Sequence, residues 1–172
     1  MRGGGFGEII MSTTITRSVK SAGEVEFVTF YVGNLLIGVD IHHVEEINRQ
    51  VDVTPVPQTP PHVRGVINLR GEVVTVVDLR EVLGMGQAEV NQCSRTVVVN
   101  SGNEEIGLLV DRVADVVLAR TDHIDPPPAN VSGVDGRFFK GVYKLEKTLL
   151  IVLDVDAAIA VKSTKLSGLN PE

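Results

Sequence analysis

Residues His62 to Arg80 read HVRGVINLRGEVVTVVDLR, and the fold turns on this stretch. Two short β-branched runs, Val66 to Leu69 and Glu72 to Val77, flank Arg70-Gly71, and a glycine between such runs marks a tight hairpin. Asp78 then precedes Leu79, Val82 and Leu83, which make the apolar face of one helical turn. An Asp in that place accepts bonds from the unpaired N–H groups of a first turn, so N-capping is its expected role.

The same design recurs 76 residues later. Arg64-Gly65-Val66 falls on Lys140-Gly141-Val142, Leu69 on Leu145, and Val73 to Leu79 on Leu149 to Val155. Upstream a second pair matches at an offset of 69, with Gly33-Asn34 on Gly102-Asn103, Ile37-Gly38 on Ile106-Gly107, and Ile41, Val44 and Ile47 on Val110, Val113 and Val116. The difference of seven implies a longer connection in the second copy, near Pro126-Pro127-Pro128. Hairpin, short helix, loop, hairpin, short helix, performed twice, predicts two similar small barrels packed together, each too small to be robust alone.

The remaining strands are short and bounded by Gly, Asn and Pro, as in β-barrels and sandwiches. They are expected at residues 25–32, 35–39, 66–69, 72–77, 96–100, 105–109, 116–118, 139–143 and 149–153. The three-residue repeats at Ile41, Val44 and Ile47 and at Val110, Val113 and Val116 predict short helical turns. Asp40 stands before the first of them as its expected cap. Residues 1–23, rich in Gly, Ser and Thr, read as a flexible leader in which Met11 is a possible start, and 162–172 as a flexible tail; the folded unit runs over 24–161.

Composition excludes several classes of function. With 16 Lys and Arg against 22 Asp and Glu the net charge is −6, and no basic cluster with interleaved aromatics suits nucleic acid. Aliphatic runs reach five residues, as at Leu149 to Leu153, far below the roughly 18 of a membrane span, so no direct insertion is expected. The single Cys93 cannot pair internally, which places the chain in a reducing, cytoplasmic compartment. His42 and His43, beside Asp40 and Glu45, point about 100° apart on a helix and share no face for a metal. There is no Gly-x-Ser-x-Gly elbow, and Gly3-Gly4-Gly5-Phe6-Gly7 precedes no helix that could cradle phosphate. The expectation is a protein without catalysis, metal or cofactor.

The run His62 to Gly71 followed by Val76-Val77-Asp78-Leu79-Arg80 resembles the signature of the CheW family, with support from Phe27 to Ile47, Pro55 to Pro61 and Gly107 to Val116. The resemblance covers roughly residues 24–160. It implies a pair of five-stranded SH3-like barrels, in agreement with the duplication, and a non-catalytic adaptor of chemotaxis arrays. Its implied partners are the cytoplasmic tip of a methyl-accepting chemoreceptor and the regulatory domain of the histidine kinase CheA. Many relatives carry Pro where this chain has Thr75, which leaves a backbone N–H on that strand.

A receptor tip is amphipathic helix, which calls for an apolar groove with a polar rim. The resemblance lines that groove, at the seam of the two barrels, with Val44, Ile47, Val110 and Val113, sets Glu46 and Arg70 at its rim, and assigns Gly65 mainly a backbone role. Read from the residues alone, Arg70 is a solvated turn residue or an internal partner of Glu46. For the kinase, Leu36, Val51 and Leu83 are the candidates, because they flank polar turns where burial is expected to be incomplete.

Overall fold

Three two-residue loops set the hairpins. β1 (Glu24–Val32) and β2 (Leu35–Asp40) turn at Gly33, and β6 (Arg95–Ser101) and β7 (Glu104–Val110) turn at Gly102, both with positive φ. β4 (Val63–Leu69) and β5 (Glu72–Asp78) turn at Arg70-Gly71, where φ is 52° and 84°. Positive φ at both central residues is the twist that suits a hairpin, and Gly or Asn adopts it more easily than Arg.

This computed structural model describes residues 23–160. Apart from Gly23, the expected leader lies outside the described residues, as does the expected tail. The other strands are β3 (Val44–Asn48), β8 (Arg112–Arg120), β9 (Asn130–Val131), β10 (Val134–Asp135), β11 (Phe139–Lys144) and β12 (Leu149–Leu153). One short helix, α1 (Leu79–Val82), follows β5, and 155–160 is helical after β12. As expected, Asp40 and Asp78 cap their turns, accepting from the His42 N–H at 2.9 Å and the Arg80 N–H at 3.0 Å.

Two five-stranded sheets result, ordered β11-β12-β2-β1-β8 and β4-β5-β7-β6-β3, beside a small β9-β10 pair. Position by position the two sheets are related by the offsets of 76 and 69 residues. Each sheet therefore takes its central hairpin from one copy of the repeat and its outer strands from the other. The ladders repeat as well: β12 runs parallel to β2 as β5 does to β7, and Phe30 opposes Val113 as Val99 opposes Val44.

The expected barrels do not close as continuous ladders. In the second sheet the chain leaving edge strand β3 crosses to the opposite edge, where Thr54 and Val66 exchange two backbone bonds of 2.9 Å. Asp125 and Val142 do the same in the first sheet. A single bridge at each seam stands in place of a ladder.

The three-residue repeats are strands, a correction of the helical expectation. Of these six residues only Ile41 lies in a 3-10 turn, Ile41–His43, while Val44 and Ile47 lie in β3, Val110 ends β7, and Val113 and Val116 lie in β8. The cause is a bulge. Val44 opposes Val99 and Ile47 opposes Val97, with one extra residue on β3, so residues three apart face the same way. β8 carries the equivalent bulge between Val113 and Val116. Thr75 lies on β5, an inner strand between β7 and β4 that exposes no edge there.

The largest apolar cluster lies between the sheets. Val28, Phe30 and Ile37 of the first sheet meet Val44, Val97 and Leu108 of the second in it. Smaller clusters fill each sheet's other face, around Phe27, Leu150 and Val152 in the first and Val74, Val76 and Leu109 in the second. Arg80 adds a polar tie, donating from Nε and Nη2 to Asp111, with Nη2 2.7 Å from Oδ2, which also accepts from the Gly33 N–H.

Candidate functional site

The Arg70-Gly71 turn is held from within its own hairpin, because Asn68 Oδ1 accepts from the Gly71 N–H at 3.1 Å. From it Arg70 reaches across to β3, where its Nη1 donates to Glu46 Oε1. The bulge that turns Val44 and Ile47 into the core leaves Glu46 only 7% exposed, and its second oxygen accepts from Asn48 Nδ2 at 2.9 Å. The Arg70 side chain remains 63% exposed. Its pKa is raised above the ordinary arginine value, first by the hydrogen bond to Glu46, then by that carboxylate's charge, with smaller contributions from Glu105 and Glu72. The guanidinium thus has one edge fixed on a buried carboxylate and the rest turned to solvent.

An acidic wall surrounds it. Glu72, Glu104 and Glu105, with Asn100 and Asn103, line a cleft of about 470 Å³ beside the turn. Val73, 69% exposed, stands on the same hairpin opposite Asn68. This exposed valine was missed in the sequence, and strand alternation could not have found it, since Val73 shares a face with Val77, which is buried between the sheets, and differs only in lying at the hairpin end of the strand.

The expected groove residues are arranged otherwise. Val44, Ile47 and Val110 are core residues between the sheets and offer no surface to a docked helix, while Val113 is half-buried against the same cluster. The seam is filled because both sheets turn their main apolar faces into it. Glu46 lies beneath Arg70 instead of at an open rim, and the internal pairing read from the residues is the one observed. Gly65, at φ 147°, faces the Thr54 carbonyl so closely that any Cβ would run into it, in keeping with a backbone role. Of the kinase candidates Leu36 and Leu83 are buried and Val51 is half-buried. Leu36 and Leu83 pack into the clusters that their flanking turns enclose.

His42 Nδ1 lies 3.0 Å from Asp40 and His43 Nδ1 lies 3.2 Å from the Asn100 carbonyl. Cys93 is exposed. Among the described residues no helix is long and apolar enough to cross a membrane.

Residues 26–162 match the CheW-like domain family. The chain is 30% identical over 151 residues to the chemotaxis protein CheW of Treponema pallidum, covering 85% of this chain and 89% of that one. It is 35% identical over 136 residues to the chemotaxis protein CheW of Thermotoga maritima, covering 79% and 88%. Among solved structures, the scaffolding protein TtCheW from Thermoanaerobacter tengcongensis superposes with a TM-score of 0.71 at 32% identity, over 76% of this chain and 88% of that one. With a duplicated β-fold, a matching family over most of its length, relatives named as chemotaxis proteins and a similar structure named as a scaffolding protein, the chain belongs to the CheW family of chemotaxis scaffold proteins.

Proposed function

We propose that this chain is a non-catalytic cytoplasmic adaptor that couples methyl-accepting chemoreceptors to the histidine kinase CheA in receptor arrays. The observation that carries the reading is Arg70, an exposed guanidinium held in a left-handed turn over a buried carboxylate. A long side chain kept in a costly backbone conformation points to function, and a fixed guanidinium edge suits carboxylate or backbone oxygen on a helix. Val73 beside it supplies an apolar contact. In this reading the receptor tip rests on Arg70 and Val73, while Val44, Ile47, Val110, Val113 and Gly65 hold the surface from behind. The kinase's regulatory domain meets the chain around Val51, with Leu36 and Leu83 beneath that surface.

The test is kinase autophosphorylation with receptor-bearing membranes, with and without this protein. Because removing Arg70 alone strands a buried charge, the variant to use is Arg70→Ala combined with Glu46→Gln. The expected outcome is stimulation by the native chain, and its loss in a double variant that still melts cooperatively. Full stimulation by the double variant would remove Arg70 from the receptor surface.

A further inference from the structure

One contact between the two sheets runs through a thioether. The β1–β2 turn belongs to the first sheet, the connection after α1 belongs to the second, and Met85 of that connection reaches the turn. A Cβ at Gly33 would lie 2.5 Å from Met85 Cε, so the bare glycine is the berth of the methyl group. At Gly102, the counterpart of Gly33 at the offset of 69, nothing among the described residues lies within 4 Å of such a Cβ. The contact therefore belongs to this turn and is no general requirement of the hairpin. Polar groups meet at the same place. The Gly33 N–H donates to Asp111 Oδ2 at 2.7 Å, and the Asp111 N–H donates to the Tyr31 carbonyl at 3.0 Å. Arg80, which grips the Asp111 carboxylate, accepts at its own carbonyl from the Met85 N–H at 2.8 Å. Met85 is half-buried against the main cluster between the sheets, and its neighbours Gly84 and Gly86, with φ of 79° and 87°, are exposed.

We propose that Met85 is a modification site for hydrogen peroxide, and that its sulfoxide releases the β1–β2 turn from the α1 connection. Because Met85 is half-buried in an exposed loop, the reagent reaches it without unfolding the core. A sulfur lone pair attacks one peroxide oxygen, and the S–O bond forms as the O–O bond breaks. The sulfur gives up two electrons, and the departing hydroxide takes the proton of the transferred oxygen and leaves as water. A thioether packs as a flexible apolar group, whereas a sulfoxide is polar and needs a hydrogen bond that an apolar cluster does not supply. The new oxygen either lies unsatisfied against the cluster or turns the side chain out to water. The contact with Gly33 is lost in both cases, and with it an apolar tie between the two sheets beside Arg80 and Asp111.

Peroxide treatment of the full chain, followed by peptide mass mapping and amide exchange by NMR, tests this. Expected are a sulfoxide at Met85 while the fold is native, exchange of the Gly33 and Asp111 amides faster by about tenfold, and exchange in the inner strand β5 unchanged. Met85→Leu keeps an apolar side chain there and should melt like the native chain before treatment. After the same treatment its Gly33 and Asp111 exchange should stay as it was, although Met1, Met11 and Cys93 remain open to oxidation. Met85 left unmodified by peroxide that fully oxidises free methionine in the same solution would overturn the proposal. So would a Met85 sulfoxide with unaltered exchange at Gly33 and Asp111, or an equal acceleration in treated Met85→Leu, which would put the effect at another residue.

Discussion

A single side chain can be held by a charge without governing stability. Arg120 and Asp122 form a pair on the surface, Nη2 to Oδ2 at 3.0 Å, and the hydrogen bond from Arg120 holds the Asp122 carboxyl below its ordinary value. A depressed carboxyl contributes stability above its unfolded pKa and loses it as pH falls through the folded one. Both groups are exposed, so solvent screens the effect. Titration by NMR should therefore show the Asp122 pKa rising to the ordinary range in Arg120→Ala, with an unchanged melting temperature. A clear drop in melting temperature would mean that the pair anchors the turn after β8.

At the scale of the element, backbone fit and burial dominate. Gly65 and Gly141 are equivalent positions, each beside the bridge that joins the two edges of a sheet, and a Cβ at Gly141 would lie 2.7 Å from the Asp125 carbonyl oxygen. Gly65→Ala adds a positive-φ penalty to a collision with the Thr54 carbonyl, so a loss of about 2 to 4 kcal/mol is expected in denaturant unfolding. A loss under about 0.5 kcal/mol would show that the 49–54 segment gives way freely. Val76 is fully buried on inner strand β5, among Val98 and Leu109 of the other copy. Val76→Asp places an unpaired carboxylate there and should abolish cooperative unfolding, as followed by far-UV circular dichroism. A native-like melt would mean that Val76 faces outward.

Exchange of hairpins makes the whole molecule one folding unit. The first sheet is built on β1 and β2 from the first copy and β8, β11 and β12 from the second, and the main cluster joins both sheets. Cutting the chain between the copies, in the exposed 89–93 connection, splits both sheets at once. Fragments 1–90 and 91–172 should each lack cooperative structure alone and recover the native circular dichroism spectrum when mixed. A fragment that melts cooperatively by itself would show that one copy can fill its own sheet.

Much of this architecture was legible because it rests on local chemistry and on self-similarity. Gly33, Gly102 and Gly71 announced their hairpins through the φ they tolerate, Asp40 and Asp78 announced their caps, and the two offsets announced a fold in two related parts. What misled was period. A bulge makes Val44 and Ile47 repeat as on a helix, and nothing local distinguishes the two, since the extra residue is defined only by the partner strand β6. The candidate site shows the same limit: the opposing sheet packs over Val44, Ile47 and Val110, which the resemblance sets along a groove, whereas Arg70 and Val73 stand exposed at the hairpin turn. By itself the sequence determined the elements, their turns and the duplication, for these depend on residues near one another in the chain. Only the tertiary structure decided which copy's hairpin enters which sheet, that Glu46 lies beneath Arg70, and which valines meet solvent, because burial is set by what packs against a face.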